Sequence, residues 1–453
     1  MIPVLSPSEM TAVDRSATEP VEVLVRRAAG AVARAALSVL GGGYAKRVVV
    51  VAGPGNNGWD GRVAAGILAR RGVRTVVIDT TDSPSALPEA DLVIDAAFGT
   101  GFRGEYRFPR TDAPVLAVDI PSGVDGLTGE AAGLPAGAMA TVTFAALKPG
   151  LLLGDGPSYV GEMRLADIGL DVSSASMFMV TDGDLLDWVP RRPPTAHKWT
   201  RAVWLVAGSP EMQGAAALAA AAAMRGGAGY LRLSTPGVDR PGAPLEAVLH
   251  PLPAHGWARS VIDGADRFGA VAVGPGLGRS EGAVHEIGGL LESLDRPLVL
   301  DGDALWAVAQ MGSEADALMR RRAAATVLTP HDGEYETLVG YRPGADRVAA
   351  ARGLAARTGA TVLLKGSTTV VSDPDGQVLF ACAGDQRLAT AGTGDVLSGL
   401  VAAHLAAGAA PGRAAASAAH LHGRAGGLGP ERGLVASDLV DLIPRAWESI
   451  SNA

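Results

Sequence analysis

At 453 residues, 48% apolar and 19% charged, the chain is too long for one hydrophobic core and too apolar for a disordered one, so two or three domains are expected. A net charge of −8 excludes duplex nucleic acid as the main partner, because phosphate backbones need clustered Lys and Arg; small anions held by loop amides stay allowed. The single cysteine, Cys382, excludes an internal disulfide; with no basic, apolar leader at Met1 and no run beyond Gly214–Met224 approaching membrane length, a cytoplasmic protein without membrane contact is expected.

Short Val/Ile-rich runs alternate with Ala-rich helical stretches along the chain. The first series reads Arg47–Ala52, Thr75–Asp79, Leu92–Asp95, Val115–Ile120 and Thr141–Ala145. These runs are almost continuously apolar, as parallel strands covered on both faces are. A second series follows at Ala202–Ala207, Tyr230–Leu233, Ala270–Val273, Pro297–Leu300, Ala325–Leu328 and Thr361–Leu364. Each series predicts one α/β sheet, and the polar, proline-rich stretch Val189–Pro194 separates them. The expected domains are therefore 1–190 and 191–453.

The first strand runs into Gly53-Pro-Gly-Asn-Asn-Gly-Trp-Asp-Gly61, before a helix predicted over Arg62–Arg70. Gly53, Gly55 and Gly58 match GxGxxG, and Asp79 closes the next strand, so a nicotinamide-dependent dehydrogenase is one reading. A glycine turn with no ligand is another. Neither needs Asn56, Asn57 and Asp60, which crowd polar groups at the strand's carboxyl end. Asp95 and Asp119 close later strands, in Ile94-Asp-Ala-Ala-Phe-Gly-Thr-Gly101 and Val118-Asp-Ile-Pro-Ser-Gly-Val-Asp125, where a carboxylate is costly without a partner. An oxygen-liganded cation and a polar substrate would satisfy them.

These segments resemble the hydrated-NAD(P)H epimerases of the YjeF N-terminal type, over most of residues 1–170. The resemblance implies a Rossmann-like three-layer fold. It implies substrate contacts from Asn56, Asn57, Gly58, Trp59 and Asp60, from Gly99, Thr100, Gly101, Phe102, Arg103, Gly104 and Glu105, and from Asp119. It also implies K+ held by Asn57, Asp95 and Ser122. Epimerisation at C6 of the hydrated ring needs reversible proton movement, and Asp119 is the candidate acid/base. Lys148, in Phe144-Ala-Ala-Leu-Lys-Pro-Gly150, is a weaker candidate, since a surface position is a lysine's commoner fate. Trp59 stands where the family usually has glycine, so strain or a blocked pocket is expected if that position needs positive φ.

The second half carries the sharpest motif, Ala389-Thr-Ala-Gly-Thr-Gly-Asp-Val-Leu-Ser-Gly399. Free amides near Gly392 and Gly394 at a helix start form an anion hole, and Asp395 beside them could take a hydroxyl proton during phosphoryl transfer. The alternative role for Asp395 is to stabilise the helix dipole. Upstream lie Val362-Leu-Leu-Lys-Gly-Ser-Thr-Thr-Val370, Val273-Gly-Pro-Gly-Leu-Gly278, Val299-Leu-Asp-Gly-Asp-Ala-Leu305 and Leu328-Thr-Pro-His-Asp-Gly-Glu334. This order resembles the ribokinase-like ADP/ATP-dependent NAD(P)H-hydrate dehydratases, over roughly residues 195–445.

That resemblance implies nucleotide contacts from Lys365, Gly366, Ser367, Thr368, Thr369 and Gly394, with Mg2+ accompanying ADP or ATP. It implies substrate contacts from Ala216, Gly276, His331 and Asp395, with Asp395 as base. The substrates would be hydrated NADH or NADPH together with ADP, and the family often assembles into homo-oligomers. Trp199, Gly302 and Asp332 depart from the family pattern, whereas His420 and His422, on an Ala-rich stretch, read as structural. A vitamin-precursor kinase behind a non-catalytic amino-terminal binding module is the runner-up.

Overall fold

The computed structural model describes residues 1–452. Two compact units divide the chain, Ile2–Ser176 and a second that begins at Met177.

In the first unit six strands form one sheet, in the order Arg74–Asp79, Arg47–Ala52, Leu92–Ala96, Val115–Val118, Ala140–Phe144 and Glu162–Ala166. Every pairing is parallel. The four central strands are buried almost throughout, which is why their sequences lack the alternation of a half-exposed strand. One face packs Val48, Val50, Leu92 and Ile94 against the helices Val21–Leu40 and Asn56–Arg70, through Ala29, Val32, Ala36, Ala64 and Leu68. The other face gathers Val49, Val51, Val93 and Phe108. The edge strand Glu162–Ala166 was not expected, because its charged and half-exposed residues give no apolar run. The helix predicted from Arg62 begins instead at Asn56, capped at Gly55, so Asn57 and Asp60 stand in its first turns.

The strands of the second unit lie in the order Met177–Met179, Val378–Ala381, Thr369–Ser372, Thr361–Leu364, Thr326–Leu328, Leu298–Leu300, Ala270–Val273, Ala202–Val206, Tyr230–Ser234 and Val248–Leu249. Thr369–Ser372 runs antiparallel to both neighbours; the other pairs are parallel. Met177–Met179 pairs with Val378–Phe380, so this unit reaches upstream of the proline-rich stretch. Two Ala-rich helices, Gln213–Arg225 and Thr393–Ala406, pack closely over the sheet. A Cβ on Gly399 would lie 2.1 Å from the Ala219 carbonyl oxygen, so glycine alone permits this approach. That contact fixes the start of the second helix, which carries Asp395.

Candidate active sites

In the first unit a cavity of about 550 Å³ opens at the carboxyl ends of the strands, where parallel α/β sheets bind ligands. Asn56, Asn57, Asp60, Gly99, Thr100, Gly101, Phe102 and Asp119 line it, joined by Asp14 and Lys148. Gly58, Trp59, Arg103, Gly104 and Glu105 are not among the lining residues. Gly58 is buried against the Gly53 carbonyl. Arg103 donates to the carbonyls of Thr100 and Phe102, and Gly104 and Glu105 are exposed.

Trp59 corrects an expectation. It sits inside a regular helix, is absent from the positive-φ positions, and is 38% exposed. It neither strains the turn nor enters the cavity. Asp79, the acid that suited a ribose, is instead ion-paired with Arg62.

Asp119 has φ 68°, left-handed for a residue that is not glycine, a conformation that costs on the order of 1 kcal/mol and survives only where neighbours fix it. Its amide donates to the Val142 carbonyl at 2.7 Å, and its carboxylate pairs with Lys148. Lys148 is no surface lysine: its side chain is 2% exposed, and its ammonium also donates to Thr143 Oγ1 at 2.8 Å and the Phe144 carbonyl at 3.2 Å. An ammonium so buried is spent on orienting Asp119.

Two other carboxyls face the same cavity. Burial, with the Asp119 and Asp14 charges, pushes Asp60 up to about 8. Burial, then Asp119, raises Asp14, with Lys148 opposing. Asp60 Oδ1 and Asn57 Nδ2 are buried without a hydrogen-bond partner, although both side chains line open space. Such groups are costly unless a ligand completes them. Deeper, Asp95 accepts from Ser122 Oγ at 2.6 Å, Ser122 N at 2.8 Å and Ala97 N at 3.2 Å; burial still raises it to about 6 against those bonds.

The second unit brings its motifs together at the ends of adjacent strands. Gly208 donates to the Pro275 carbonyl at 2.7 Å, and a Cβ on Gly276 would lie 2.9 Å from the Met212 carbonyl, so the Ala216 helix and the Gly276 loop share one wall. Asp303 accepts from Gly278 N at 2.9 Å. His331 caps the helix Asp332–Val339, its Nδ1 accepting from Gly333 and Glu334 amides. From that helix Glu334 reaches Lys365 at 3.4 Å.

Lys365 is the junction. Burial would lower its pKa, but Asp301 and Glu334 outweigh that and raise it. A Cβ on Gly394 would sit 3.7 Å from Lys365 Nζ, so the ammonium lies beside the helix start. Gly366 and Ser367 are exposed at the tip of the turn, Thr368 is buried, and Thr369 opens the antiparallel strand. Gly392, with φ 90°, caps the helix Thr393–Ala406; Thr393 N donates to the Thr390 carbonyl at 3.3 Å, and no side chain caps the Gly394 and Asp395 amides that follow. Asp395, in the first turn, is pushed up to about 6 by burial, then by Asp301, with Lys365 opposing.

The departures from the family pattern are absorbed structurally. Trp199 stacks on Tyr230 at 4.2 Å, Asp332 pairs with Arg347 at 2.9 Å, and Gly302 takes φ 55° before the helix Asp303–Met311. His420 bonds Asp182 at 2.8 Å and His422 the Thr393 carbonyl at 2.9 Å; both are buried.

The profile of the NAD(P)H-hydrate dehydratase family matches residues 203–445, and that of the YjeF-related protein N-terminus matches residues 21–86 and 76–150. The bifunctional NAD(P)H-hydrate repair enzyme Nnr of Salinibacter ruber is 36% identical, over 98% of this chain and 96% of its own. The chain belongs to the bifunctional NAD(P)H-hydrate repair enzymes. The Nnr of Mycobacterium tuberculosis is 38% identical over 88% of each chain. Among solved structures, the ADP/ATP-dependent NAD(P)H-hydrate dehydratase of Bacillus subtilis, co-crystallised with ATP and Mg2+, covers 60% of this chain and 97% of its own at 30% identity and a TM-score of 0.50. The second unit thus has the ribokinase-like fold of the repair enzymes, and the Asn-Asn-Gly loop belongs to their other half rather than to a dehydrogenase.

Proposed function

We propose that the first unit, Ile2–Ser176, interconverts the R and S hydrates of NADH and NADPH, and that the second, from Met177 onward, returns the S hydrate to the intact cofactor with ADP or ATP as phosphoryl donor. The observation that carries the second step is Asp395 standing in the first turn of an open helix start beside the Lys365 ammonium. Helix amides and an ammonium hold the transferring phosphoryl group. Asp395 takes the proton of the C6 hydroxyl as its oxygen attacks the terminal phosphorus, releasing AMP from ADP or ADP from ATP. The ring nitrogen's lone pair then expels phosphate from C6. Loss of a C5 proton restores the ring double bond. Phosphorylation makes a good leaving group of a poor one, which is why a kinase-like fold can serve a dehydration.

Lys365, Gly366, Ser367, Thr368, Thr369 and Gly394 take the nucleotide, and Ala216, Gly276, His331 and Asp395 the hydrate. Mg2+ is bound chiefly through substrate phosphates and water rather than an all-protein cage, and offsets phosphate charge when it arrives with the nucleotide.

In the first unit Asn56, Asn57, Asp60, Gly99, Thr100, Gly101, Phe102 and Asp119 receive the hydrate; Asp119 carries the C6 hydroxyl proton to N1 as the C6–N1 bond opens to an aldehyde, and back as N1 recloses on the opposite face of C6. K+ fits Asn57, Asp95 and Ser122: Asp95 is a fully buried carboxyl whose charge burial disfavours, and the Asn57 amide oxygen and Ser122 hydroxyl are the neutral oxygen ligands a hard cation takes. A bound cation there would balance that charge. A cytoplasmic location is proposed, in keeping with a chain whose one cysteine allows no internal disulfide; among the described residues no helix is long and apolar enough to cross a membrane.

The deciding experiment incubates hydrated NADH with the protein and ADP or ATP. Absorbance near 340 nm should return, and Asp395→Asn should abolish the return while nucleotide binding persists. Near-normal turnover in that variant would remove Asp395 from the mechanism, and an inert wild-type protein would sink the repair reading.

A further inference from the structure

Asp301 closes the strand Leu298–Leu300, and its carboxylate is 5% exposed. Its Oδ1 accepts from Lys365 Nζ at 2.9 Å and Thr329 Oγ1 at 2.7 Å, and its Oδ2 accepts from Ser398 Oγ at 2.5 Å. Thr329 follows the strand Thr326–Leu328, Lys365 follows Thr361–Leu364, and these strands and that of Asp301 are neighbours in the sheet. Ser398 lies one turn beyond Asp395 and 3.2 Å from the Gly394 carbonyl. One carboxylate therefore joins three strand ends to the catalytic helix.

We infer that Asp301 is a positioning residue of dehydration: by holding Lys365 and Ser398 at once, it sets the phosphate-binding ammonium, the open helix start and the base in register. The inference rests on the reading of Asp395 as the base. Stability does not account for the arrangement, because a buried ion pair seldom repays its desolvation against a well-packed apolar alternative. Geometry does account for it. Phosphoryl transfer asks the protein mainly for placement and charge, and the groups Asp301 holds are those that must be placed.

The chain with Asp301→Asn keeps the side chain's shape and loses its charge. Its kcat for ADP-dependent dehydration should fall about 100-fold, the loss that follows from an ångström-scale misplacement of reacting groups. The acid limb of its pH profile should also move to lower pH. Asp395 is faced by Asp301, Glu334 and Asp303 on one side of the charge balance and Lys365 on the other, and one of the acids has gone. The limb shift follows from the lost charge alone, so the positioning role is read from kcat on the plateau above it, at a temperature where the variant is fully folded. Full kcat there overturns the inference.

Ser398→Ala keeps the Asp301–Lys365 pair and removes only the link to the helix. Its kcat should fall while nucleotide binding stays intact, and should Asp301→Asn fail to fold this variant decides alone, full kcat overturning the inference. Asp395→Asn run in parallel separates the two readings. Near-normal turnover there defeats the base assignment, whereas an inactive Asp395→Asn beside a fully active Asp301→Asn defeats only the role of Asp301.

Discussion

Asp395 must be ionised to accept a proton, and burial among neighbouring acids pushes it up to about 6. A base with a raised pKa is lost as pH falls, so kcat for dehydration should decline below about pH 6 and be flat above it until another group titrates. A limb near the ordinary aspartate value of about 3.9 would contradict that environment. In the first unit Lys148 offers a second test. Replacing it with Met leaves the Asp119 carboxylate without its ion partner, and breaking a buried pair from one side costs on the order of 3 kcal/mol. Lys148→Met should lower the denaturation midpoint and slow epimerisation at least tenfold, as removal of a 1.4 kcal/mol orientation term would. Epimerisation at the normal rate would show that Asp119 needs no such support. The polar residues at strand ends were legible in the sequence because a carboxylate closing an apolar strand is costly. What Lys148 does was not legible, since burial of a lysine leaves no mark in its own sequence neighbourhood. Asp301 and Glu334 were visible within motifs, but a partnership reaching from residue 301 to residue 365 exists only in three dimensions.

The elements that present these residues follow from composition more than from charge. The central strands could be read because double burial makes them uniformly apolar. Met177–Met179 escaped because it lies upstream of the proline-rich stretch, and Thr369–Ser372 and Val378–Ala381 because they pair antiparallel within a series that otherwise reads as parallel. The helix start at Asn56 escaped because asparagines and glycines have weak helix propensity, which tertiary packing overrides. Gly392 makes the equivalent helix start in the second unit. Its φ is 90°, and an added Cβ would lie 2.7 Å from Leu218 Cδ1 and 3.0 Å from Ala436 Cβ. Gly392→Ala should therefore cost about 1–3 kcal/mol through left-handed backbone strain alone. It should also raise the KM for nucleotide more than a surface glycine change such as Gly376→Ala, because it displaces the amides that face phosphate. Equal effects of the two substitutions would mean that the helix start does not bind the nucleotide.

Across the whole chain, the pairing of the two halves has a chemical logic. A dehydratase that removes one hydrate epimer leaves the other behind unless something interconverts them, and the cavity proposed to do so is carried on the same polypeptide. That relation gives a test needing neither half in isolation. Asp119 and Asp395 belong to different compact units, so a change at Asp119 leaves the residues around Asp395 in place. With a mixture of R and S hydrates and excess ADP, the unaltered chain should carry the absorbance near 340 nm to full recovery. The Asp119→Asn chain should show the same initial rate, then stop once the S portion is consumed, with only the slow spontaneous conversion of R continuing. Adding a catalytic amount of the Asp395→Asn chain, which retains epimerisation, should restart it. Full recovery by Asp119→Asn at the original rate would remove Asp119 from epimerisation. Failure of Asp395→Asn to restart the reaction would mean that the first unit does not epimerise the hydrates at all.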